Sequence, residues 1–145
     1  MEKLFRNLHV KLQEMCDCYM ETDFKAELNK LSTTGVASDV EEEALKYLAL
    51  ALLYSVSEKA DKLEIKQKNG EMKVSVKSDG KDRLPAPPAE ISSTILAILR
   101  DITDLRGDKG ETLLALGLRN SQLELKVQVK KDGDKESVKI SLPLN

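Results

Sequence analysis

Leu4, Leu8, Leu12, Met15 and Tyr19 recur at spacings of four, four, three and four, which places them on one stripe of a helix. The run breaks at Glu21-Thr22-Asp23. Phe24, Leu28 and Leu31 then open a second helical stripe, which Ser32-Thr33-Thr34-Gly35 stops. Ser38 followed three residues later by Glu41 carries the pattern of a capping box. Behind it Leu45, Leu48, Ala49, Leu52, Leu53 and Val56 trace the stripe of a well-buried third helix.

The period then changes from 3.6 to 2. Leu63 and Ile65 alternate with Lys62, Glu64 and Lys66, and Met72, Val74 and Val76 alternate with Lys73, Ser75 and Lys77. Asn69-Gly70 between the two runs is a strong hairpin signal, and Asp79-Gly80 closes the second strand. Leu84-Pro85-Ala86-Pro87-Pro88 cannot continue a central strand, but its last proline suits the first turn of a helix. Ile91, Ile95, Ile98, Leu99 and Ile102 supply that helix, which ends near Arg106-Gly107. Three strands follow: one through Leu114, Leu116 and Leu118, one through Leu123, Leu125, Val127 and Val129, and one through Val138, Ile140 and Leu142. Their turns fall at Asn120-Ser121 and Asp132-Gly133.

The order α-α-α-β-β-α-β-β-β predicts an α+β fold, an open antiparallel sheet with helices packed on one face. A helix followed by a hairpin occurs twice. Residues 38–145 therefore read as an α+β domain of two halves, 38–83 and 84–145, preceded by a helical extension over 1–37.

Composition adds that 145 residues fit one domain, and that 41% hydrophobic residues can fill its core. The net charge of −2 rules out a global field that draws in nucleic acid or acidic membrane. Its distribution matters more. Residues 1–58 carry 6 basic and 11 acidic side chains, and 59–145 carry 17 and 14. An acidic helical front and a mildly basic sheet are expected. Cys16 and Cys18 point about 200° apart around a helix, a poor geometry for a bridge. The start Met1-Glu2-Lys3 leads into an amphipathic stretch and not an apolar signal segment, and no run reaches the ~18 apolar residues of a spanning helix. Reduced thiols in a cytoplasmic protein without membrane insertion are expected.

Candidate chemistry is thin. His9, the one histidine, is separated from Cys16 by about 10 Å along the helix, too far for one tetrahedral zinc, and a solvated His9 is expected. Gly107-Asp108-Lys109-Gly110-Glu111-Thr112 lacks the Gly-Lys-Ser/Thr ending of a phosphate loop and precedes a strand, so it reads as an ordinary loop. Glu41-Glu42-Glu43 complement the dipole at a helix start, and no second titratable cluster completes an acid–base pair. Neither an enzyme, a cofactor nor a bound metal is expected. On the solvent side of the sheet Lys62, Lys66, Lys73, Lys77, Lys126, Lys130 and Lys139 should point outward, against Glu64 and Glu124. Sheets that read RNA stack bases on aromatic rings, and no Phe, Tyr or Trp follows Tyr54, so nucleic acid is disfavoured.

From about residue 44 to 145 the chain resembles the second N-terminal domain of type II secretion and type IV pilus assembly ATPases. Lys59-Ala60-Asp61-Lys62-Leu63-Glu64-Ile65 stands at that family's Ser-Asp-Ile-His-Ile-Glu-like motif, and Val74-Ser75-Val76-Lys77-Ser78-Asp79-Gly80 at its strand ending in Asp-Gly. Pro85 to Pro88 match its proline-rich link, and Lys139-Ile140-Ser141-Leu142-Pro143 its final Arg-Val-Ser-Thr-Leu-Pro-like strand. The family's histidine is absent, and these 145 residues hold no Walker motif. The resemblance thus implies a PAS-like fold and a protein-contact role, not ATP hydrolysis.

The reading that results is a non-enzymatic protein-interaction or regulatory module. Its partner is another protein, with a secretion or pilus ATPase the one implied by the resemblance. Expected contact residues are Lys66, Lys73, Lys77, Lys126 and Lys130 on the sheet. Phe5 and Met20 join them as apolar residues off the main stripe of the first helix, suited to a partner helix or a homodimer. The alternative is a secretion chaperone-like dimer that binds client proteins.

Overall fold

A computed structural model describes residues 8–34, 39–78, 80–118 and 121–142. Helices α1 (Leu8–Tyr19), α2 (Phe24–Thr34) and α3 (Val40–Ser57) precede strands β1 (Lys62–Lys68), β2 (Glu71–Lys77) and β3 (Lys81–Leu84). Helix α4 (Ala89–Thr103) then leads to β4 (Lys109–Leu118), β5 (Ser121–Asp132) and β6 (Lys135–Ser141). The six strands form one antiparallel sheet in the order β3-β2-β1-β6-β5-β4. The α+β class and the open sheet stand as expected from the patterning.

Each half contributes a helix and a three-strand meander, and the meanders join where β1 pairs with β6. That pairing leaves β3 and β4 at opposite edges, so the chain must cross the whole sheet between them. Five inter-strand spacings amount to about 24 Å. The 15 residues of α4 span about 22 Å, which matches the crossing. Left-handed Asp104 (φ 58°) ends this helix, its successor's N–H closing on Arg100 O, short of the Arg106-Gly107 stop expected.

The patterning missed β3. Its four residues hold a single buried apolar side chain, Leu84, too short a run for alternation to register, and Pro85 follows at once. Likewise β4 begins at Lys109, not near Leu114. The segment read as a loop is half strand, paired through Lys109↔Lys130 and Glu111↔Gln128. A Cβ at Gly110 would lie 2.9 Å from Leu105 Cδ2, so any larger residue there makes the Leu105 side chain shift.

Helix α3 is buried on every side, from Ala44 and Leu45 through Tyr47, Leu50 and Ala51 to Leu53 and Ser55. The sheet-side stripe explains only half of this. The rest follows because α1 and α2 pack on its back, and a helix apolar all round needs such cover. Leu8, Leu12 and Cys16 of α1 and Phe24, Leu28 and Leu31 of α2 belong to the same buried cluster as the sheet's inner face. The α3 cap sits one residue beyond the expected one: Asp39 accepts from Glu42 N at 3.1 Å, and Ser38 lies outside the described residues.

Candidate functional site: the lysine face of the sheet

Alternation sends Leu63, Ile65, Val74, Val76, Val127, Val129, Val138 and Ile140 into the core and their neighbours to the opposite face. Antiparallel register then aligns the outward residues into rows. Lys81, Lys77 and Lys62 stand abreast on β3, β2 and β1, continued by Ser141, Lys126 and Leu113 on β6, β5 and β4. A second row reads Lys73, Lys66, Ser137, Lys130 and Lys109 from β2 to β4. Between them run Arg83, Ser75, Glu64, Lys139, Gln128 and Glu111.

Five lysine–lysine pairs lie directly opposite one another: Lys62↔Lys77, Lys77↔Lys81, Lys66↔Lys73, Lys68↔Lys135 and Lys109↔Lys130. Like charges in this position oppose folding by roughly 0.2–1 kcal/mol per pair. Among the described residues, one ion pair relieves these rows, Lys126 to Glu111 at 3.2 Å. Glu64 lies in the middle of the face but is only 6% exposed, flanked by Ser75 and Lys139. Two adjoining depressions of about 410 and 460 Å³ follow the second row and share Lys130 and Ser137. The result is a broad cationic trough, and its chemistry is recognition of negative charge.

The structure therefore brings Lys66, Lys73, Lys77, Lys126 and Lys130 together, all exposed on one face, with Lys139 among them. Lys62 is half-buried. Lys81, Arg83 and Lys109 join them unannounced, because β3 was not recognised and β4 was expected to begin only near Leu114. The one signal was alternation itself, since Lys81 and Arg83 bracket Asp82 as Lys109 and Glu111 bracket Gly110. Met20 sits half-buried in the turn after α1, away from this face, and Phe5 lies outside the described residues.

One expectation for α1 changes. His9 is half-buried and not solvated: its Nε2 donates to Ala115 O at 2.6 Å. One turn later Gln13 donates to Gly117 O at 2.6 Å and accepts from Gly117 N at 2.7 Å. The two side chains, four residues apart on one helical face, thus occupy the outward backbone groups of edge strand β4 and shield part of that edge. The cysteines differ sharply. Cys16 is fully buried, with its thiol pushed up to about 12 by burial and by Asp17, whereas Cys18 is exposed.

On the far side of the molecule Tyr54 of α3 donates to Asp82 of β3, and Lys25 of α2 donates to the same carboxylate at 3.3 Å while lying 5.5 Å from the Tyr54 ring. The Tyr54 hydrogen bond, with help from Lys25, holds Asp82 below the usual carboxylate range. The same hydrogen bond, with burial and the charges of Asp82 and Glu58, lifts Tyr54 to about 12. This network ties the two outer elements to α3 and is structural.

Among the described residues no group of three or more His, Cys, Asp or Glu side chains is placed to hold a metal ion, and no helix is long and apolar enough to cross a membrane. No protein-family model matches the chain, and a search of curated proteins finds no match.

Proposed function

We propose that this protein acts by binding and not by catalysis, docking the lysine face of its sheet against an acidic surface of another protein. The five lysine pairs, none of them joined to a carboxylate among the described residues, carry this reading. An isolated chain gains nothing from like charges held abreast, while an acidic partner converts each repulsion into attraction. A folded protein is favoured over nucleic acid because the face carries no aromatic ring on which a base could stack. The PAS-like arrangement belongs to the same reading, supported by the single helical crossover that joins two meanders of one sheet. The resemblance makes a secretion or pilus ATPase the first partner to try.

The test is affinity capture with nuclease-treated lysate, comparing the native chain with a Lys66→Glu/Lys73→Glu/Lys130→Glu variant of unchanged circular dichroism. An acidic folded protein retained by the native chain, lost from the variant and released by salt, supports the proposal. Capture abolished by nuclease would transfer the face to nucleic acid. A stable homodimer holding unfolded polypeptide, equally in both forms, would favour the chaperone-like alternative instead.

A further inference from the structure

Strand β4 closes the sheet on one side, and its edge is only half covered. Residues of an antiparallel strand turn their backbone groups alternately toward the neighbouring strand and away from it. Gly117 spends its N–H and C=O on Gln13, and Ala115 its C=O on His9, so odd-numbered positions turn outward. Asp108 agrees, because its C=O accepts from the Lys131 N–H of β5. Lys109, Glu111 and Leu113 complete the outward set, and among the described residues nothing bonds their N–H or C=O groups. All three side chains are exposed, Leu113 to 61%. An open strip of edge like this is a template for pairing with another strand.

A second copy of this chain fits the strip by charge. In a two-fold antiparallel pairing, outward positions can meet only outward positions. An axis at Lys109 sets lysine against lysine, and an axis at Glu111 sets glutamate against glutamate. An axis at Thr112 sends Lys109 to Ala115, whose carbonyl His9 already holds. The axis at Gly110 sets Lys109 against Glu111 of the second copy, and Glu111 against its Lys109. Lys109 thereby gains a carboxylate, where its own sheet offers it Lys130. Glu111 already holds Lys126 at 3.2 Å, and a carboxylate has acceptor sites for both. Glycine meets glycine at the axis and Leu113 meets Gly107, so no side chain obstructs the approach. The opposite edge offers no such match: β3 has four residues, and its Lys81 and Arg83 would set basic against basic.

We propose that two copies of this chain associate through the open half of β4, antiparallel about Gly110, to form one continuous sheet. Each Lys109–Glu111 contact joins opposite charges and exchanges backbone hydrogen bonds. The contact is short, so the dimer forms and dissociates with concentration. Its two-fold axis stands perpendicular to the sheet, which keeps both lysine faces on one side and presents them as a bivalent surface. The pairing does not depend on what those faces bind.

The test is sedimentation of the full chain at low salt, from micromolar to millimolar concentration, where monomer and dimer should exchange. Lys109→Glu and Glu111→Lys each make both contacts repulsive and should weaken association about tenfold or more. The fold tolerates both changes, since Lys109→Glu relieves the repulsion from Lys130 and Glu111 is exposed. Mixed in equal amounts, the two variants should dimerise with each other like the native chain, because every contact then joins glutamate to lysine. Lys109→Glu/Glu111→Lys in one chain should self-associate again. Hydrogen exchange at the Glu111 and Leu113 amides should slow as the native chain is concentrated. A native chain that stays monomeric, a dimer indifferent to either single reversal, or variants that fail to rescue each other would overturn the proposal. Capture of an acidic protein by the lysine face is a separate readout that none of these results decides.

Discussion

Lys66 of β1 lies directly across from Lys73 of β2, with no carboxylate paired to either among the described residues. Replacing one of them by glutamate turns a repulsive cross-strand pair into an attractive one. Lys73→Glu should therefore raise stability by about 0.5–1 kcal/mol, read as a higher urea midpoint at unchanged slope, while weakening capture of an acidic partner. A variant that both loses stability and binds normally would remove the argument that these charges are kept for binding.

Gln13 and Gly117 make a two-way contact, side-chain amide to backbone amide. Gln13→Ala leaves both backbone groups of the edge strand without their partner and should cost about 1–2 kcal/mol. Faster hydrogen exchange of the Gly117 amide and concentration-dependent association through the opened edge should accompany it. An exchange rate equal to that of the native chain would show that the contact contributes nothing.

The Tyr54–Asp82 pair sets two pH limits. Asp82 is depressed, so its contribution is present above the unfolded carboxylate value and is lost as pH falls through the lowered folded one. Tyr54 is raised from 10.0 to about 12, so its contribution is intact below pH 10 and is lost as pH climbs toward 12. In Tyr54→Phe both limits should soften, with a flatter stability profile above pH 10. Phenolate absorbance should show one tyrosine titrating near 12, absent from the variant. Tyr47 should ionise late as well, because burial pushes it up and its hydroxyl donates to Pro85 O at 2.5 Å.

Thiol chemistry separates the two cysteines. Cys18 should react with a maleimide at the rate of an exposed thiol, whereas Cys16 should react only when the chain unfolds, since it is buried and its thiolate is disfavoured. Two equally fast thiols in the native protein would contradict the packing of α1 on the core. Cys16→Ser should destabilise by about 1–3 kcal/mol, because a hydroxyl replaces a small apolar group at a dry site.

Much of the fold was legible because long elements repeat their period many times. Leu45 to Val56 continue a helical stripe over several turns, and Leu123 to Val129 alternate without a break. The Asn69-Gly70 turn was equally clear, its two residues at φ 54° and 80° in the left-handed region that the hairpin requires. Short elements were not legible. Nothing in Lys81-Asp82-Arg83-Leu84 outweighs the prolines behind it, and β3 exists because β2 offers it an edge. His9 was misjudged for a similar reason: its partner is a backbone carbonyl 106 residues away, and no local pattern reports such a contact.

By itself the sequence determined which residues face inward and which outward, because alternation and helical period are local consequences of backbone geometry. It thereby specified an α+β chain with an acidic helical portion and a lysine-bearing sheet. Only the tertiary structure decided the register that sets Lys66 against Lys73 and Lys109 against Lys130, and the order that joins the two meanders through β1 and β6. Only it left Lys109 and Glu111 on the open half of an edge strand. Register and strand order are settled by which hydrophobic faces pack together across the whole chain, so charges far apart in sequence acquire their neighbours only when the sheet closes.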